Sequence, residues 1–202
     1  VITGYIAVPK MPYQIGIDGS RLWVTTARNY GKDYPPMVLE SAGSDILSWT
    51  VKNPSWPINK TWDGSEHVLI DSAGKRAYFG NIGYSPDNIK KYDITSAESP
   101  VFLLENSHGS LGSNGQQFVL SEDGTKIYFA ASGASGYALQ IVKTSDLNKE
   151  TDLALGAYPN AVAIDSAHIY AGKASDPKGV KVYRRSDNIF IREYSFGSQE
   201  TL

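Results

Sequence analysis

One pattern of about ten residues recurs four times along this chain, and that recurrence constrains the fold more than any other property of the sequence. It reads Ile17-Asp18-Gly19-Ser20-Arg21-Leu22-Trp23-Val24 in its first copy and Ile70-Asp71-Ser72-Ala73-Gly74-Lys75-Arg76-Ala77-Tyr78-Phe79 in its second. The third is Leu120-Ser121-Glu122-Asp123-Gly124-Thr125-Lys126-Ile127-Tyr128-Phe129, and the fourth is Ile164-Asp165-Ser166-Ala167-His168-Ile169-Tyr170-Ala171. The aromatic side chains fall at Trp23, Tyr78, Tyr128 and Tyr170, so the repeat averages about 49 residues, the size of one supersecondary unit. The first and fourth copies align without a gap over a longer stretch: Pro12 on Pro159, Ile15 on Val162, Ile17 on Ile164, Asp18 on Asp165 and Trp23 on Tyr170.

Each unit divides into four short strands separated by Gly, Pro, Asp, Asn and Ser. In the third unit they are expected near 117–120, 126–130, 139–143 and 151–155. Asp123-Gly124 makes a tight turn between the first two, because Gly accepts a positive φ and Asp bonds its own backbone. Equivalent turns are expected at Asp18-Gly19 and Ala73-Gly74. Third strands are expected at 46–51, 89–94, 139–144 and 180–185, which places Trp49, Tyr92 and Tyr183 at one common position. Strands such as Ile127-Tyr128-Phe129 carry large side chains on both faces, so each sheet must be covered on both sides. The fold class that satisfies this is all-β, a β-propeller, with four four-stranded blades at about 13–62, 66–104, 116–155 and 159–196. A β-sandwich or barrel leaves the fourfold recurrence of one strand pair unexplained.

Tyr5-Ile6-Ala7-Val8 precedes the first Pro-led strand as Asp152-Leu153-Ala154-Leu155 precedes the fourth, so residues 3–8 read as an orphan outer strand. The chain also begins without methionine. The expectation is an incomplete arc of a larger propeller of about seven blades, the remaining blades coming from the same or another chain.

Three segments carry a family likeness: Pro159-Asn160-Ala161-Val162-Ala163-Ile164-Asp165, the third copy 121–129, and third strands of the Val180-Lys181-Val182-Tyr183 kind. They resemble the YVTN repeat, a family of propellers that is seven-bladed as a rule and related to lactonase-like propellers. The resemblance covers all four units and implies a non-catalytic recognition or scaffold module of an exported protein, located extracellularly, on the cell surface or in the periplasm. The alternative it leaves open is a lactonase- or lyase-like enzyme acting at the channel mouth.

Composition narrows the partners. With 19 Lys+Arg against 21 Asp+Glu the net charge is −2, which gives no basic excess for nucleic acid. Apolar residues make up 41% and charged residues 20%, a globular composition, and no apolar run approaches the roughly 20 residues of a membrane-inserted helix. The absence of cysteine removes thiolate nucleophiles and thiolate metal sites. The expected partner is a protein, or a small-molecule or carbohydrate ligand, bound on the loop face. Two long loops stand out there. The first, 28–44, and its neighbours offer Arg28, Tyr30, Lys32, Tyr34, Trp56, Tyr84 and Tyr137 as binding side chains, the alternative for this loop being a lid packed on its own Pro and Tyr residues. The second, 105–116, holds His108 and Glu105 as candidate catalytic groups, His108 as a base or metal ligand, with a solvated loop histidine as the alternative. No cofactor is expected; calcium is the one metal this architecture could hold, with Glu66, Asn81, Glu105, Asn106 and Asn160 as candidate ligands. His67 and His168 start strands and read as structural or surface groups.

Overall fold

The computed structural model describes residues 12–26, 35–41, 49–52, 54–56, 65–81, 89–106, 111, 115–131 and 137–196. They form four antiparallel four-stranded sheets, each a meander whose strands pair in chain order. The first holds β1 (Pro12–Asp18), β2 (Arg21–Thr26), β3 (Met37–Ser41) and β4 (Trp49–Lys52). The second holds β5 (Ser65–Asp71), β6 (Arg76–Asn81), β7 (Ile89–Asp93) and β8 (Val101–Glu105). The third comprises β9 (Gly115–Leu120), β10 (Lys126–Ala131), β11 (Ala138–Lys143) and β12 (Lys149–Ala154); the fourth comprises β13 (Pro159–Ile164), β14 (His168–Lys173), β15 (Gly179–Arg184) and β16 (Phe190–Ser195).

The four turns between first and second strands share a position but solve it with different atoms. Gly19 and Gly124 take left-handed φ values of 58° and 69°, as a tight turn requires. In the second blade the left-handed residue is Lys75, at φ 51°, rather than Gly74, whose N–H donates to Asp71 Oδ1 at 2.8 Å. In the fourth, Asp165 Oδ1 accepts the N–H groups of Ala167 and His168 at 2.7 and 2.6 Å. Where the third blade has serine in place of this aspartate, Ser121 Oγ donates to Asp123 Oδ1 at 2.6 Å, and Asp123 also accepts the Thr125 N–H. The Ser121 hydroxyl and the Thr125 amide hold the Asp123 carboxyl down at about 2.

The first blade departs from the expected strand assignment. Its third strand is Met37–Ser41, inside the segment read as a long loop, and the expected third strand 46–51 overlaps the fourth, Trp49–Lys52. The register pairs Leu22 with Leu39 and Leu39 with Val51, so Leu39, not Trp49, is the counterpart of Tyr92 and Tyr183. An aromatic at the expected spacing drew the alignment one strand too far. The fourth strand of this blade ends at Lys52. The orphan strand expected at residues 3–8 lies outside the described residues.

The chain divides into two compact units, one containing β1 to β8 and the other β9 to β16. In the first unit the core sits between the two sheets: Trp23 and Val38 face Val68, Ala77, Phe79, Tyr92 and Ile94, with Ile70 and Phe102 packed against them. Burying a side chain such as Phe79 or Ile94 in full contributes about 1.5–3 kcal/mol. The sheets approach closely at Gly16, where a Cβ would lie 2.6 Å from Ile70 Cγ1. In the second unit Tyr128, Leu139, Ile141 and Leu155 pack with Val162, Ile169, Ala171 and Tyr183. Tyr183 donates its hydroxyl to the Ala154 carbonyl at 2.7 Å, and burial, aided by Glu193, pushes its phenol up to about 12.

One kind of polar bridge between sheets is built the same way in both units. Gln14 Oε1 accepts the Val68 N–H at 2.8 Å, and Gln117 Oε1 accepts the Val162 N–H at 2.9 Å. Gln14 sits at a register irregularity in β1, and Thr25 fixes it there by accepting the Gln14 N–H and donating to the Gln14 carbonyl.

Candidate functional site

The strand ends of the second unit present a stitched set of connections with two tyrosines at its centre. Tyr137 immediately precedes β11 and Tyr158 immediately precedes β13. Tyr137 is held in the left-handed region at φ 61°, and its carbonyl accepts the Leu155 N–H at 3.0 Å, tying the segment before β11 to the end of β12. Tyr158 is clamped on both backbone groups by the connection between β14 and β15. Its N–H donates to Ser175 Oγ at 2.7 Å and its carbonyl accepts the Ala174 N–H at 2.8 Å. The two rings lie 6.0 Å apart at 51°. Tyr137 is 45% exposed, whereas Tyr158 is half-buried. Two aromatic faces fixed by backbone bonds lose little conformational entropy on binding, which suits them to stacking on an apolar or sugar surface.

Beside this end, Lys173 is buried and ion-paired with Glu193 across the fourth sheet. A groove of about 390 Å³ runs between β12 and the fourth sheet, lined by Asp152, Leu153, Lys181, Tyr183, Phe190 and Glu193. Lys181 and Tyr183 both donate to the Ala154 carbonyl there, so their polar groups join the sheets. A larger cleft of about 680 Å³ opens at the opposite strand ends, among Lys126, Lys143, Ser145 and Lys149. Its lysines are ion-paired with Glu150, Asp146 and Asp152 at 3.0, 3.0 and 2.7 Å, solvent-facing pairs that water and salt screen.

The structure distributes the sequence-derived candidates widely. Tyr137 is at the site just described. Arg28, Tyr30, Lys32, Tyr34, Tyr84 and His108 lie outside the described residues. Trp56 is a correction: its ring stands edge-on to Trp23, Phe79 and Tyr92 at 6.1, 5.6 and 5.2 Å, and its Nε1–H donates to the Pro36 carbonyl at 3.0 Å. It is a packing residue of the first unit. Glu105 and Gln116 lie on β8 and β9, so the loop between them is shorter than expected. Of the calcium candidates, Glu66 and Asn81 lie on β5 and β6, Asn160 is exposed on β13 and Asn106 is buried. Among the described residues no group of three His, Asp or Glu side chains is gathered in metal-binding geometry. His67 is buried, its Nδ1 3.2 Å from Gln14 Oε1 and its ring edge-on to Tyr13. His168 lies beside Asp165, whose carboxyl is held well below the carboxylate range, first by the Tyr170 hydroxyl and then by the Ala167 amide. Sequence reasoning passed over Tyr158 and Ser175. The available signal was Tyr158-Pro159, because the residue before proline is extended and projects its side chain at the head of the strand.

No protein-family model matches this chain, and no curated protein sequence matches it. Solved structures do. Hydrazine synthase of Kuenenia stuttgartiensis aligns at a TM-score of 0.70 with 17% identity, over 97% of this chain and 52% of that one. A proposed 6-phosphogluconolactonase of Bacteroides fragilis aligns at 0.65 with 13% identity, over 91% and 55%. The β-propeller domain of Cps50 (Swd1) from Myceliophteria thermophila aligns at 0.66 with 11% identity, over 96% and 64%. The fold is therefore that of a β-propeller, all-β with four four-stranded blades among the described residues, and lactonase-like propellers are among its structural neighbours. The chain spans between half and two thirds of the length of these structures.

Proposed function

We propose that this chain is part of a non-catalytic recognition propeller of the YVTN type, exported or surface-exposed, that binds a protein or carbohydrate ligand at the strand ends around Tyr137 and Tyr158. The observation that carries this reading is the pair itself: a half-exposed tyrosine in a left-handed backbone conformation, its ring beside a second tyrosine clamped by Ser175 and Ala174. Holding a large residue at positive φ costs stability, and such positions gather where a side chain must be presented in one orientation. The YVTN reading rests on the repeat phrases Pro159–Asp165 and Ser121–Phe129. The test is to screen the chain on glycan and peptide arrays alongside a panel of lactones, with and without calcium. Binding that falls at least tenfold in Tyr137→Ser, without lactone turnover, supports the proposal. Absence of binding from both arrays overturns it.

The second reading, a lactonase- or lyase-like enzyme, is favoured by the likeness to the proposed 6-phosphogluconolactonase. It predicts lactone turnover that is lost in Glu105→Gln or His108→Ala, and thermal stabilisation by calcium.

A further inference from the structure

Within each unit, the second blade turns toward the first a face that includes the same row of side chains in cross-strand register. In the second blade the row is Ile70, Ala77, Tyr92 and Phe102, and it lies against Trp23 and Val38 of the first. In the fourth blade the row is Ile164, Ile169, Tyr183 and Phe190, and its first three members join the core formed with Tyr128 and Leu139 of the third. In the first blade the same register gives Ile17, Leu22, Leu39 and Val51. This row is on the face turned away from the second blade, as alternation along β1 from Gly16 dictates. Ile17 is 64% exposed, Val51 41%, and Ile15, on the same face, 56%.

The polar bridge repeats with the row. Gln14 and Gln117 hold one position, each immediately before the residue that pairs with Val24 or Phe129, and each accepts the N–H of the valine at the following position in the next blade, Val68 or Val162. Ile15 is the first blade's counterpart of Val68 and Val162, since all three pair with the residue after the second-strand aromatic. That correspondence assigns the Ile15 N–H the same role as donor to a glutamine of the preceding blade.

We propose that the face made by Ile15, Ile17, Leu22 and Val51 seats a further blade of this same repeat, belonging to the remainder of a larger propeller, and that this blade carries a glutamine that accepts the Ile15 N–H. Two copies of the interface already present define what fits. The chain spans 52–64% of the propellers it matches, which leaves room for such a blade. The last blade of a second copy fits less well, because Ala161 stands at the glutamine position and has no acceptor side chain.

The test compares the 202-residue chain with the polypeptide in the form in which its source makes it. Amide exchange at Ile15 and N-ethylmaleimide labelling at position 17 of an Ile17→Cys variant, read by peptide mapping, are measured in both. Both rates should be roughly tenfold or more slower in the native polypeptide, on the scale of one hydrogen bond and one covered side chain. In both, Gln14→Leu should speed exchange of the Val68 amide alone by roughly tenfold, as loss of one net hydrogen bond implies. Equal rates at Ile15 and Ile17 in the two forms, a native monomer with the mass of the 202-residue chain, or protection that grows with chain concentration overturns the proposal; the last result identifies a second copy as the occupant. If Ile17→Cys fails to fold, exchange at Ile15 in the unaltered chain decides.

Discussion

Gly16→Ala probes the packing between the first two blades at its tightest point. The added Cβ would stand 2.6 Å from Ile70 Cγ1, 3.2 Å from Val68 Cγ2 and 3.3 Å from Ile70 Cδ1. Apolar carbons rest at about 3.5–4.0 Å, so Ile70 or the two sheets must shift by about 1 Å. Overpacking of this kind costs about 1–3 kcal/mol, and replacing a strand glycine returns about 0.5–1 kcal/mol of chain entropy, which leaves a net loss of about 1–2 kcal/mol. Urea unfolding should show a lower midpoint with an unchanged slope. The decisive comparison is the double mutant. In an Ile70→Ala background the nearest obstacle is gone, so Gly16→Ala should cost little, giving a coupling energy of about 1–2 kcal/mol. Gly19→Ala is the control: nothing lies within 4 Å of its Cβ, and its φ of 58° costs about 1–2 kcal/mol independently of Ile70. If Gly16→Ala and Ile70→Ala add to within about 0.5 kcal/mol, the inter-blade contact is refuted.

Three further outcomes follow from named contacts. Trp56→Ala should cost about 3 kcal/mol and flatten the near-ultraviolet dichroism of the first unit; a loss under about 1 kcal/mol would return Trp56 to the surface. Asp123, held at about 2, contributes stability above the ordinary aspartate value of about 4 that is lost as pH falls through about 2; Ser121→Ala should raise the Asp123 carboxyl in a carbon-13 titration and move acid unfolding to higher pH. Lys75→Met removes the 2.9 Å partner of the buried Asp18 carboxylate and leaves Arg21 at 3.8 Å, so thermal unfolding should report a loss of about 1–3 kcal/mol, with no loss in an Asp18→Asn, Lys75→Met double variant relative to Asp18→Asn alone.

The sequence carried the blade repeat because its determinants are local. The turn residues Asp18, Asp71, Asp123 and Asp165 and the aromatics five to seven places on lie within one hairpin, where hydrogen bonds and strand register act over a few residues. The third strand of the first blade was not legible. Met37–Ser41 is short, follows Pro35-Pro36, and has Leu39 where two other blades have tyrosine, while Trp49 offered a false match one strand later. Trp56 was misread because its burial depends on Trp23, Phe79 and Tyr92, residues 23 to 36 positions away in the chain. Tyr137 was legible as a loop aromatic, but its partner Tyr158 and the clamp at Ser175 come together only when three connections meet, which no local pattern encodes.

The recognition reading is tested most directly by affinity for the tightest glycan or peptide from the arrays, measured calorimetrically for the unaltered chain, Tyr137→Ser, Tyr158→Ser and Tyr194→Ser. Tyr194 is equally exposed, on the outermost strand of the fourth blade, and serves as the control. The account predicts a loss of about tenfold or more for Tyr137→Ser and Tyr158→Ser, about 1.4 kcal/mol, and no change for Tyr194→Ser. Equal affinity in all four proteins contradicts it.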